Sequence, residues 1–356
     1  MKQRKNFRLV LAAIAFLLIT TTWIATRPTL RVSDVAVIRL SRTGNSFRSV
    51  RSSYEVAKVG GVGSSLISCD KQQNIYVLGE RNEREAVQVI TANGSTRTVA
   101  LNNLPGELAQ FSKGFTVSPS GRRWWVWTRF TVKDGTTGEN VRLYDASGKI
   151  VKTWQSQSGG IALMQAVGDE QLHRADETGS LWIYDARKAT PQRLSFSPKA
   201  WDFMDSKGRF WTVNWDKDKR TGKAVAQSPA NPALNISLPF QLPREGGGYP
   251  FWYDEKAGLY AQRVFWDTPS KTGSSGASVL LLDPDGQMKT VMDISPSWFK
   301  GKENQFVIFR RLLMAKGDTA WGEVVISKSG PVEHRIVKME SIPRWRTWFG
   351  AKQGKL

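Results

Sequence analysis

The feature that most restricts the fold of this chain is a hairpin that keeps returning. In Asn140–Trp154, NVRLYDASGKIVKTW, Val141 and Leu143 precede a turn and Ile150 and Val151 follow it. Asp145-Ala-Ser-Gly148 between them is turn chemistry, because Asp and Ser bond their own backbone and Gly accepts a positive φ. The pattern recurs as VQVITANGSTRTVAL from Val87, LWIYDARKATPQRLSF from Leu181, AVAQSPANPALNISL from Ala224 and VLLLDPDGQMKTVM from Val279. A single hairpin constrains little. A series at a steady interval predicts a repeat architecture.

Two more strands precede each hairpin, split by a polar turn. They read LISCD-KQQ-NIYVLGE from Leu66, FTVSP-SGR-RWWVWTRF from Phe115, LMQAVG-DE-QLHRAD from Leu163, AWDFMD-SKG-RFWTVNWD from Ala200 and YPFWYDEKA-GLYAQRVFW from Tyr249. A sixth copy from Arg311, RLLMAKGD-TAWGEVVISKSGPVEHRIVKM, is shorter and lacks an outer strand. The turns fall at Asp70, Pro119, Gly168, Asp205, Asp254 and Lys316, a mean interval of about 49 residues that fits one four-stranded blade. The expected fold is therefore all-β, a six-bladed β-propeller over residues 51–340. Such a ring must close. The strand-like VAVIRL, Val35–Leu40, in the 27–50 linker is expected to complete the last blade. Residues 341–356 form a basic, aromatic tail without repeat character.

Ahead of the repeat, residues 1–8 are basic, and Leu9–Thr26, LVLAAIAFLLITTTWIAT, is 18 residues without a charge. At 1.5 Å per residue this helix just crosses a hydrocarbon core of roughly 30 Å. A cleaved signal peptide wants small residues at −3 and −1, and a cut after Ala25 puts the bulky Trp23 at −3. An uncleaved transmembrane signal anchor over residues 9–26 is the expectation, with residues 1–8 cytoplasmic and the body periplasmic or at the cell surface.

The formal charge is +20. Lys2, Arg4, Lys5 and Arg8 supply four of those charges and no acid occurs before Arg27, so +16 remains for the body. That excess favours anionic surfaces: a protein, an anionic glycan or a lipid headgroup at the cell envelope. The charges are scattered and the compartment is wrong for nucleic acid. With one cysteine, Cys69, no internal disulfide forms. Two histidines, His173 and His334, leave little material for His-dependent catalysis or a zinc site.

Each eye-catching group has a structural reading. Trp125 and Trp127 share one strand face and Trp124 takes the other, so these rings and those of Trp211 and Trp215 fill the wedges between blades. A stacking platform for sugars or bases is the competing role. Asp202, Asp205, Asp254 and Asp283 lack the spacing of a calcium loop. Three of them sit in turns, which is reason enough for an Asp there. His173 lies in QLHRAD, where Asp176, three positions on, points to the other face. No nucleophile elbow, P-loop or dinucleotide fingerprint occurs, and no cofactor is expected.

Leu66–Gly94, LISCDKQQNIYVLGERNEREAVQVITANG, resembles an NHL-type blade: an apolar strand ending in Asp, a short turn, Asn-x-Tyr-Val, then alternating apolar residues and a Gly turn. Asp70, Asn74, Tyr76, Val77, Asn82, Val87, Val89 and Gly94 carry the match. The resemblance implies a six-bladed propeller of the NHL and gluconolactonase-like superfamily. Its enzymes hold a metal through acids and amides on the inner strands, and no such set is matched here residue by residue. Two functions follow. One is a non-catalytic binding or scaffolding module. The other is a propeller-type hydrolase or lyase at the mouth of the central channel, rimmed by the inserts Lys133–Asn140, Lys217–Lys223 and Thr268–Ala277. The enzyme needs inward-facing acids and a histidine near that mouth, so the binding module is preferred.

Overall fold

The computed structural model describes residues 14–22, 28–39, 48–49, 66–81, 84–156, 161–176, 180–194, 202–216, 220–229, 231–241, 249–266, 275–283, 286–294, 306–317, 319–327 and 333–343. The basic segment 1–8, Asn82 of the NHL-type match, most of the insert Thr268–Ala277 and residues 344–356 of the tail lie outside them, as do residues 217–219 of the insert Lys217–Lys223.

The described chain is almost all strand, folded into consecutive four-stranded antiparallel units, the last two of which are joined by one parallel pair, Ser275 opposite Ile308. The first runs Ile67–Cys69, Ile75–Arg81, Arg84–Ile90, Thr96–Ala100, with Arg48–Ser49 added beside its second strand. The second is Glu107–Val117, Arg123–Val132, Thr137–Asp145, Ile150–Gln155. The third is Ile161–Ala166, Gln171–Asp176, Leu181–Asp185, Gln192–Leu194. The fourth is Phe203–Met204, Phe210–Asp216, Thr221–Ser228, Asn231–Gln241. The fifth is Tyr249–Asp254, Gly258–Trp266, Ser275–Leu282, Met288–Ile294. The sixth takes three strands from the end of the chain, Phe306–Lys316, Thr319–Ser327 and Glu333–Pro343, and its fourth from the beginning.

That fourth strand is Pro28–Arg39, antiparallel to Glu333–Pro343, with Pro28 opposite Pro343 and Arg39 opposite Glu333. It is twelve residues long and starts well before Val35. The sixth sheet is not short either, since its first strand begins at Phe306, ahead of the Arg311 read from the repeat.

Strand alternation explains why the sheets pack as a ring. Successive residues point to opposite faces, so neighbours in sequence enter different gaps between sheets. Trp124 packs with Leu78, Val87 and Phe115 between the first and second sheets, whereas Trp125 packs with Met164 and Tyr184 between the second and third. Phe210 joins Leu163 and Leu181 of the third sheet, and Trp211 joins Leu259 and Leu280 of the fifth. Leu259 and Tyr260 divide in the same way, Tyr260 meeting Val307 and Phe309 of the sixth. The last gap closes with Met314 and Trp321 against Ile75 and Val77 of the first. Every sheet thus has a core on both faces, the β-propeller arrangement.

Before the ring, residues 14–22 are helical. Among the described residues no helix is long and apolar enough to cross a membrane.

Candidate functional site

The first strands of the sheets converge on the axis and enclose a cavity of about 320 Å³. Its wall is largely apolar, with Ile67, Phe115, Leu163, Phe203, Phe251 and Leu313 supplied by six different sheets. Three polar side chains of the inner strands accept bonds from the next sheet's backbone. The Val117 amide donates to Ser68 Oγ at 3.1 Å, the Ala166 amide to Thr116 Oγ1 at 3.4 Å and the Leu312 amide to Gln262 Oε1 at 2.7 Å. The partners lie 49, 50 and 50 positions apart, one repeat length, so each bond locks a strand to its successor in the ring. The Cys69 thiol donates to the Leu313 carbonyl at 3.6 Å across the seam, and burial pushes its pKa up to about 12. A thiol so hard to ionise is a poor nucleophile.

The acids divide sharply. Asp70 Oδ1 accepts the Gln72 and Asn74 amides, and its Oδ2 accepts the Asn74 side chain and the Tyr76 hydroxyl. Asp205 accepts the Lys207 and Arg209 amides, Arg209 Nε and the Trp211 indole. Asp254 accepts the Lys256 and Ala257 amides, and Asp283 accepts the Gln287 amide and pairs with Lys289. These are turn carboxylates. Among the described residues no group of three His, Cys, Asp or Glu side chains has the geometry to hold a metal ion.

Asp202 differs. It lines the cavity, and its Oδ2 accepts the Val213 amide at 2.9 Å. Burial holds its carboxyl above the usual carboxylate range. Arg311 also reaches the cavity, while its Nε bonds Glu323 Oε2 at 2.9 Å. Sequence reasoning considered Asp202 only as part of a calcium set with Asp205, Asp254 and Asp283; its place three positions before the turn residue Asp205, beside the inner strand Phe203–Met204, was the signal that set it apart. Arg311, Gln262 and Ser68 were missed, although their one-repeat spacing to bonded partners is written in the sequence for the last two.

His173 is not at the cavity. It is buried in the second strand of the third sheet, and burial pushes its pKa down to about 4. Asp176 instead accepts the Ser180 amide and the Trp182 indole. Trp124, Trp125, Trp127 and Trp211 are buried between sheets, and Trp125 stacks on Trp154 with centroids 5.4 Å apart. The backbone of Trp215 lies in the strand Phe210–Asp216, and its side chain is outside what is described.

No family model matches the chain, and no curated protein does. Among solved structures the chain is similar to a structural genomics protein of unknown function from Bacteroides thetaiotaomicron VPI-5482, at 15% identity and TM-score 0.47, covering 89% of this chain and 77% of that one. It is also similar to the C-terminal WD40 domain of Sif2, at 10% identity and TM-score 0.37 over 88% of this chain and 99% of that one. A third likeness is to U3-55K, at 9% identity and TM-score 0.36 over 83% and 98%. The propeller assignment rests on the sheets and the cores between them.

Proposed function

We propose that this chain is a membrane-tethered, extracytoplasmic six-bladed propeller that acts as a non-catalytic binding or scaffolding module for a protein or an anionic envelope ligand. The observation that carries the binding reading is the state of the cavity wall, where Ser68, Thr116, Gln262, Asp70 and Asp205 all serve the ring's own backbone or turns. The +16 excess of the body supports an anionic partner.

For the tether, Ile14, Phe16, Leu17, Leu18 and Ile19 are exposed on the helix, Phe16 at 69%. Thr20, Thr21 and Thr22 each donate to a carbonyl four residues back, at 2.7, 2.6 and 2.7 Å. A helix in lipid needs its hydroxyls satisfied internally in this way. The segment Leu9–Thr26 is long enough to span, and we assign it as an uncleaved signal anchor. In the same reading the first blade is of the NHL type, since the matched residues Asp70, Asn74 and Tyr76 form one hydrogen-bonded network.

The second reading, a hydrolase or lyase, has one observation in its favour: Asp202, half-buried at the cavity with a raised pKa, is suited to general acid or base work. Full-length protein in nanodiscs separates the two. Saturable, salt-sensitive binding to an acidic polysaccharide, without turnover of ester, lactone or uronide substrates, is expected. Turnover abolished by Asp202→Asn overturns the binding module in favour of the enzyme.

A further inference from the structure

The charged groups at the central cavity are not equivalent. Those that line it are Asp70, Lys71, Asp202, Asp205 and Arg311, so acids exceed bases by one. Most of them are already engaged. Asp70 accepts four hydrogen bonds within its own blade, and Asp205 pairs with Arg209 at 2.7 Å. Arg311 Nε bonds Glu323 Oε2 at 2.9 Å, and Glu323 is shared with Arg310, which does not line the cavity, at 3.7 Å. Lys71 is exposed in its turn.

Asp202 stands apart. It is half-buried, its Oδ2 accepts the Val213 amide at 2.9 Å, and no base pairs with it among the described residues. Its second oxygen, Oδ1, accepts no hydrogen bond from them either. Burial raises its pKa and no neighbouring cation offsets the effect. A carboxylate drawn out of water without a countercharge is unfavourable, and a bound cation relieves it.

The wall beside it is aromatic. Phe115 and Phe203 come from the second and fourth sheets, and Phe251 and Trp252 from the fifth. Aromatic faces attract cations, most strongly where water is excluded. We propose that the central cavity binds a small organic amine, with its ammonium on Asp202 and its apolar body among these rings. The site goes beyond the envelope partner proposed above and does not depend on the tether. At about 320 Å³ the cavity lies at the small end of ordinary ligand pockets, so it fits one ring with a short amine-bearing chain rather than a peptide segment. Lys71 and Ser206, in first-to-second turns, share the lining and are solvent-accessible, so the cavity communicates with that end of the ring.

The test titrates full-length protein in nanodiscs by isothermal calorimetry, with the heats of empty nanodiscs subtracted. The probes have similar shape and different charge: phenethylamine, neutral 2-phenylethanol and anionic 3-phenylpropanoate. Phenethylamine should bind at least about tenfold more tightly than 2-phenylethanol, because it alone gives Asp202 a charge-assisted bond. 3-Phenylpropanoate should bind most weakly, since it sets like charge against Asp202. Asp202→Asn, which keeps an acceptor for the Val213 amide, should erase the preference for the amine over the alcohol, and Asp202→Glu should retain part of it. Equal affinity for amine and alcohol overturns the proposal, as does no binding of any probe. Tightest binding of 3-phenylpropanoate overturns it too, and assigns the ligand to Arg311. An amine preference that survives Asp202→Asn puts the amine elsewhere and has the same result. The comparison of probes on the parent protein decides the matter even where the Asn variant does not fold. Failure here leaves the envelope partner standing, because that reading is tested on the acidic polysaccharide.

Discussion

The indole nitrogen of Trp211 donates to Oδ2 of Asp205 at 2.7 Å, with both side chains buried. The same carboxylate holds two amides of its turn and Arg209 Nε. The Arg209 guanidinium in turn lies over the Tyr253 ring of the fifth sheet, 4.6 Å from its centroid. A carboxylate that closes a turn and grips an aromatic six positions later recurs as Asp70 with Tyr76 and Asp176 with Trp182.

Asp205→Ala should therefore cost about 2–4 kcal/mol, because it strands buried donors as well as loosening the turn. Asp254→Ala, whose carboxylate holds only turn amides, should cost about 1 kcal/mol. Urea unfolding of the two variants measures the difference; equal losses would mean that the indole and guanidinium bonds contribute nothing net.

Two glycines separate backbone strain from contact. Gly148 and Gly135 share a φ of +83°. A Cβ on Gly148 would meet the Ala100 carbonyl oxygen, a backbone atom, at 2.1 Å, whereas one on Gly135 meets nothing within 4 Å. Gly135→Ala should cost about 1 kcal/mol of left-handed strain. Gly148→Ala should cost at least about 1 kcal/mol more, since the first and second sheets must part. Thermal denaturation of both gives the comparison directly.

His173 makes stability depend on pH. Its folded pKa is about 4 against an ordinary 6.5, lowered by burial. Between those values the unfolded chain binds a proton that the folded chain does not, so stability rises with pH across the window. The contribution is complete above about pH 6.5 and fades as pH falls towards 4, a loss of roughly 3 kcal/mol. His173→Gln should flatten that part of the stability–pH curve, read as the difference between parent and variant so that the carboxylates cancel.

Ring closure is the most exposed element. Deleting residues 28–39 removes the strand that pairs with Glu333–Pro343 along its whole length and leaves a sheet edge open. Against a typical total of about 5–15 kcal/mol, the loss should lower the melting temperature sharply or abolish folding. Deleting residues 344–356 should do much less. The reverse order would make the carboxyl terminus the closing element.

Much of this was legible beforehand for a physical reason. A propeller repeats one local problem, so the turn chemistry of Asp70, Asp205 and Gly148 and the alternation of Trp124 and Trp125 are visible in single stretches. The register of Pro28–Arg39 was not. A strand that pairs with a partner about 300 residues away has no turn to fix its ends.

By itself the sequence determined the all-β class, the strand order, the placing of the turns and the opposed faces of the tryptophans, because each follows from period-two patterning or from backbone bonds within a few residues. It also carried the basic excess and the apolar amino-terminal segment. Only the tertiary structure decided which carboxylate reaches the cavity, that Ser68, Thr116 and Gln262 bind their neighbours' backbones, and that His173 lies buried away from the axis. These depend on how one sheet packs against the next, where burial and long-range registry rather than local preference set the energy of each polar group.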